Sequence, residues 1–297
     1  MKRLLILLVL LTASLTAAAC APSRSGSLGP GPTGLAGPSA LPSDSPSASS
    51  EPVEAPPSGG SDGRTLTIQV WFQRDGKLFA TTRTRPVTQN TSNLALTELA
   101  AGPSTVETAA GVTTSFAKGT RFDIKGISAD GTETVSFPAS FYDGEGAGLR
   151  IRQAEVVYTL TQFRSVKRVA FLSDGRPTIG GPFGRDDMDD LLPRIVVYSP
   201  VIGQRVTSQI TVSGIADVYE STVSVRVLNR DGKEIGAKFT TALCNTGCHG
   251  TYSMTVPYRS CASESGTGRV EVYMSSPENG SRVHVVEIPV QFAGCAS

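Results

Sequence analysis

Hydrophobic and polar positions follow two rhythms along this chain, with a stretch before them that has none. Leu66, Ile68 and Val70 alternate with polar neighbours, Trp71 and Phe72 follow, and Asp75-Gly76 separates them from a second run, Lys77 to Thr84. Two strands about a tight turn are predicted. Leu94, Leu96, Leu99 and Ala100 then recur at helical spacing, with Asn93 as the expected cap and Gly102-Pro103 as the stop. A second, short helix is predicted from Ser104-Thr105-Val106-Glu107, where the serine oxygen can take a backbone N–H while the glutamate reaches back. Gly111 suits its end. Strands are expected over Thr120 to Ser128 and Thr132 to Phe137, joined at Asp130-Gly131. From Leu149 to Phe163 the period lengthens, and Leu149, Ile151, Ala154, Val157, Tyr158 and Leu160 mark one face of an amphipathic helix. Val166 to Leu172 and the Asp174-Gly175 turn complete an α+β domain with helices packed on a largely open sheet.

Beyond Arg194 only the strand rhythm remains. Ile195 to Tyr198, Ile210 to Ile215, Thr222 to Leu228, Ile235 to Thr241, Gly250 to Val256, Arg269 to Met274 and His284 to Phe292 are short, evenly spaced and separated by turn residues. That spacing predicts an all-β sandwich. Val223, Val225 and Val227 alternate with Ser224 and Arg226, so one face of that strand is expected inside and the other in water.

The stretch without rhythm, Ala21 to about Gly63, is dominated by Pro, Ser, Gly and Ala and has no aromatic residue. It cannot bury enough apolar surface to offset the entropy of ordering it. As a flexible coil it would average roughly 35 to 40 Å end to end. Before it, Lys2 and Arg3 precede an apolar run, Leu4 to Leu11, too short to cross a bilayer with ease, and Ala17, Ala18 and Ala19 lead into Cys20. This is the layout of a bacterial lipoprotein signal, in which the Cys20 thiol takes a diacylglycerol and becomes the mature N-terminus. Ala17 and Ala19 also satisfy the small-x-small rule of an ordinary secretory peptidase, which would release the protein instead. The expected segments are a signal peptide over 1–19, lipidated Cys20 with its tether over 20–63, an α+β domain over 64–178, an acidic linker over 179–193 and the sandwich over 194–293.

Charge and cysteine content narrow the function. The formal charge of +1 falls to −1 if Lys2 and Arg3 leave with the signal. No basic field exists to attract nucleic acid. Cys244, Cys248, Cys261 and Cys295 all lie in the C-terminal third, and in an exported chain four cysteines read as two disulfides. Cys244 and Cys248 flank a short loop that could close locally, leaving Cys261 for Cys295, but three pairings are open. Zinc held by Cys244, Cys248 and His249 is a rival whose spacing fits no usual finger.

Catalytic chemistry is sparse. The two histidines, His249 and His284, have no nucleophile motif beside them. The loop from Asp143 through Glu145 to Gly148 lacks both calcium-loop spacing and a phosphate-binding lysine. Asp186, Asp187, Asp189 and Asp190 could hold a cation weakly, with a solvated linker as the plainer reading. No cofactor is expected.

Two sets of motifs resemble known families. Phe72-Gln-Arg-Asp-Gly-Lys-Leu, the Leu-Ala-Ala-Gly-Pro-Ser ending at Ser104, Ala154-Glu-Val-Val-Tyr-Thr-Leu-Thr-Gln-Phe163 and Val169-Ala-Phe-Leu-Ser-Asp-Gly175 resemble the GerMN domain. Ser199-Pro-Val-Ile-Gly, Val212-Ser-Gly-Ile-Ala216, Tyr219-Glu220, Val223-Ser-Val-Arg-Val-Leu228 and Ile288-Pro-Val290 resemble the immunoglobulin-like domain of bacterial spore germination. The first resemblance implies a fold similar to ring-building modules of secretion and sporulation channels, an interaction role and no catalytic residues. Together they imply a membrane-anchored lipoprotein on the extracytoplasmic face, binding peptidoglycan or other envelope proteins in sporulation, germination or wall-related work. A peptidoglycan-modifying hydrolase and a homo-oligomeric ring or scaffold are the alternatives.

Overall fold

A computed structural model describes residues 63–144, 146–244, 247–258 and 266–293. Cys20, Glu145, Cys261 and Cys295, and with them the lipidation site and one candidate bridge, lie outside the described residues.

The first half opens on the expected hairpin, β1 (Thr65–Arg74) against β2 (Lys77–Pro86), with Asp75 and Gly76 both at positive φ in the turn. Helix α1 (Thr91–Ala101) begins earlier than its pattern suggested. Leu94 N–H already bonds the Asn90 carbonyl, which makes Asn90 the cap and puts Asn93 inside the first turn. Helix α2 (Thr105–Ala109) carries the predicted capping box: Ser104 accepts from Glu107 N–H while the Glu107 carboxylate takes Ser104 N–H at 2.7 Å. Strand β3 (Asp123–Ile127) starts three residues late, because Thr120 turns back to the Ala117 carbonyl instead of extending.

Strand β4 (Thr132–Phe137) pairs antiparallel with β3 and parallel with β5 (Arg168–Ser173), and β6 (Arg176–Pro177) closes the sheet edge. The helix joining the parallel pair, α3 (Ala147–Leu160), is shorter at its end than the expected Phe163. Its buried face includes Ile151, Ala154, Val157, Tyr158 and Leu160. The expectation of one largely open sheet is corrected: the β1–β2 hairpin and the β3–β6 sheet are separate. A single two-way bridge between Gln73 and Thr113, at 2.9 and 2.8 Å, ties the hairpin to the segment before β3. Trp71, Phe72, Leu96, Phe137 and Leu160 fill the space between.

The second half is a sandwich. One sheet has the order β11 (Glu234–Thr241), β10 (Thr222–Leu228), β13 (Gly266–Ser275), β14 (Arg282–Phe292), β8 (Arg205–Val206), and the other β12 (Gly250–Pro257), β9 (Gln209–Ala216), β7 (Ile195–Ser199). Two-residue β8 is too short to produce a periodic signal. Val223, Val225 and Val227 are buried as their alternation requires. Gly214 is needed where β9 passes β7 and the Tyr252 ring, since a Cβ there would lie 1.8 Å from the Val196 carbonyl oxygen.

All described residues belong to one compact unit. The connector contributes to this. Met188 and Leu192 are buried, Arg150 grips the Asp190 carboxylate with two bonds of 2.6 and 2.7 Å, and Arg168 holds Asp187 at 2.9 Å. Its acids are surface groups, as a solvated linker implies, yet two of the four are tied to the first half.

Candidate functional site

Where the halves meet, a cleft of about 1450 Å³ with mixed polar and apolar walls opens, lined from the first half by Thr67, Gln69, Lys77, Tyr158, Thr161 and Gln162. The connector supplies Arg185, Asp186, Asp189 and Asp190, and the sandwich supplies Arg194, Tyr198, Asp217, His249 and His284. Its volume exceeds the usual small-molecule pocket of roughly 300–1,000 Å³.

Arg185 is the hinge of this arrangement. Its guanidinium lies 4.9 Å from the Tyr158 ring centre and 5.7 Å from that of Trp71. Its Nε donates to Thr161 Oγ1 at 2.8 Å and its Nη2 to the Tyr158 carbonyl at 3.1 Å. Trp71 in turn meets Tyr158 at 4.9 Å and, across the junction, Tyr198 at 6.0 Å edge-on. Such cation–π and aromatic contacts contribute about 0.5–2 kcal/mol each. Arg74 donates to the Glu287 carbonyl and Lys77 to that of Asp190, adding polar links at 2.8 and 2.7 Å. Burial pushes the Tyr158 hydroxyl well up, a shift Arg185 partly opposes, and burial likewise raises Tyr198. Both phenols therefore remain neutral at physiological pH, with the Tyr158 hydroxyl donating to the Arg185 carbonyl at 3.3 Å.

The sequence's candidate residues separate here. Cys244 and Cys248 are joined by a disulfide, with 6.0 Å between their Cα atoms, and Cys248 lines the cleft. That bond leaves no thiolate pair for the zinc rival. His249 Nε2 lies 3.0 Å from the Pro193 carbonyl, while exposed His284 stands on the sandwich wall. Asp143 sits outside the cleft, its carbonyl taken by Arg152 at 3.1 Å. Hydrogen bonds from Arg150 hold Asp190 below the usual carboxylate range. Among the described residues, no three His, Cys, Asp or Glu side chains converge to hold a metal ion.

Two features of the site were not read from sequence. Gln162 reaches from the turn after α3 to the outer edge of β1, where Gln69 N–H donates to its Oε1 and its Nε2 donates to the Gln69 carbonyl, both at 2.7 Å. Thr159 does the same for Trp71 N–H at 3.1 Å. The available signal was the polar Thr-x-x-Gln continuing the buried face of α3. Arg185 had no signal at all, lying in a stretch read only for its acids.

An α+β unit and an immunoglobulin-like sandwich share one cleft in this two-module chain. Residues 67–179 match the family model described as sporulation and spore germination, and residues 194–281 match that of the immunoglobulin-like domain of bacterial spore germination. The tandem GerMN domains of the sporulation protein GerM from Bacillus subtilis are 17% identical, over 65% of this chain and 62% of that one, with a TM-score of 0.36. This chain thus spans under two thirds of that tandem structure. The first GerMN domain of the same protein is 20% identical over 40% of this chain and 90% of its own, with a TM-score of 0.31. A putative lipoprotein from Clostridium perfringens is 16% identical over 45% and 97%, with a TM-score of 0.29. No curated protein matches the chain.

Proposed function

We propose that this chain is a non-catalytic lipoprotein, anchored through Cys20 on the extracytoplasmic face of the membrane, that binds and helps assemble components of the cell envelope. The matched families are sporulation and germination families, not enzyme families. The observation that carries the reading is the cleft itself, whose walls come from both halves and the connector. A ligand lying there engages both modules at once. Envelope protein or peptidoglycan is the ligand we infer for a cleft walled by both modules, with the 20–63 segment expected to serve as the tether to the membrane.

Anchoring has a direct test. Wild type should incorporate labelled fatty acid and fractionate with membranes, and Cys20→Ala should lose both while the body still folds. Wild type that never takes up lipid would make the protein a secreted one. In the distal half, Tyr258 and Phe292 have ring centres 5.1 Å apart, and Cys261 and Cys295 each follow by three residues. A second bridge between them is the pairing we propose, readable in a non-reducing peptide map.

A further inference from the structure

Strand β1 has one edge in the ladder with β2 and one outside it. Val87 N–H bonds the Arg64 carbonyl, which fixes the even-numbered residues as those facing β2 and turns the odd-numbered ones outward. Along that outer edge Gln73 meets Thr113, Trp71 N–H meets Thr159, and Gln69 meets Gln162. Beyond them, among the described residues, nothing bonds the outward N–H and C=O of Thr65 and Thr67. Both threonines are exposed, and Thr67, Gln69 and Gln162 line the cleft.

The occupant of this edge is indicated by the group already on it. A glutamine carboxamide is a peptide group in miniature, and Gln162 exchanges both N–H···O bonds with Gln69 as a neighbouring strand would. We propose that the Thr65–Gln69 edge of β1 is a docking site for an extended polypeptide segment, which adds as a strand and displaces Gln162 from Gln69. The proposal rests on the binding-module reading and names the partner's chemistry: a peptide backbone in β conformation, pairing through main-chain groups. Glutamine serves meanwhile as a removable cover on an edge that would otherwise invite indiscriminate pairing.

The test uses the full chain in mild detergent with a fluorescent Lys-Thr-Val-Thr-Val-Thr-Lys heptapeptide. Anisotropy should report saturable binding, and hydrogen exchange at the Thr65–Gln69 amides should slow. Gln162→Ala, which leaves no cover to displace, should bind about tenfold tighter, as loss of one or two competing hydrogen bonds implies. Thr67→Pro removes an outward N–H without touching the β2 ladder, a change edge strands tolerate, and should weaken binding at least about tenfold. The same peptide N-methylated at alternate amides should not protect the edge. Binding that survives N-methylation and Thr67→Pro unchanged, or no protection of these amides in wild type and Gln162→Ala alike, would overturn the proposal and leave Gln162 as edge protection only. Failure here is separable from failure of the wider reading, because the peptide assay needs no envelope component.

Discussion

The two halves bury acids in opposite ways. In the sandwich, Glu271 is 2% exposed and lies between Arg226 and Arg269, whose bonds at 2.6 and 2.9 Å override burial and hold its carboxyl below the usual range. Asp217 likewise faces Arg194. In the α+β half, Glu155 and Glu133 are equally buried, but among the described residues neither has a cation bonded to it. Glu155 accepts from Ser115 N–H and Thr114 Oγ1, and burial pushes it up to about 8. Among the described residues Glu133 has only the Ser92 hydroxyl, at 3.2 Å, and burial raises it too. Glu107 is the exception, since bonds from Arg83, Thr81 and Ser104 N–H outweigh its burial and lower it to about 2. The difference assigns the pH response of the molecule chiefly to its first half.

That assignment can be broken with one intrinsic probe. Trp71 is the only tryptophan and is fully buried, packed on Tyr158 of its own half and edge-on to Tyr198 of the sandwich, so its emission reports the α+β core and its junction. The largest effect expected comes from Glu155. A folded value near 8, above the unfolded 4.5, gives stability fully present below pH 4.5 and lost as pH rises through 8. The loss amounts to about 4–5 kcal/mol, an upper-end figure for one buried carboxyl. Urea titrations followed at Trp71 should show it, and Glu155→Gln should flatten the slope between pH 5 and 9. A slope unchanged by that substitution would remove Glu155 as its source.

Next in size is Glu107→Ala, which strands Arg83 beside Glu98, 3.8 Å away, and leaves Thr81 and Ser104 without their acceptor. About 3 kcal/mol should be lost from the Trp71 transition. Because its folded value is depressed, wild type should also weaken as pH falls from 4.5 toward 2, and the variant should lack that acid limb. Smallest is the local disulfide. A loop so short constrains the unfolded chain little, and replacing Cys244 and Cys248 together with serine should cost about 2 kcal/mol in the sandwich. A Trp71 transition that moved with it would mean the halves unfold as one.

How far the sequence reached follows the same division. Sandwich strands repeat every few residues with turns between, and valine alternation is visible in any window, so β7, β9 to β12 and β14 were legible almost to the residue. In the α+β half the local devices were legible: the Asp75-Gly76 turn, the Ser104 capping box and the face of α3. What was missed depends on partners distant in the chain. Asn93 has a capping residue's chemistry, but the helix takes its first bond at Asn90. Gln162 looks like one more polar residue until β1 arrives beside it, 93 positions away. The cleft was illegible for the same reason, since Arg185 and Tyr198 become neighbours of Trp71 only when the connector folds against α3.

Binding without catalysis can be measured by incubating the full chain with purified cell envelope and following both the protein retained on it and the fragments released. Saturable retention is expected, with no release of sugar or peptide above the protein-free control. Product accumulating in proportion to time and protein concentration would contradict it.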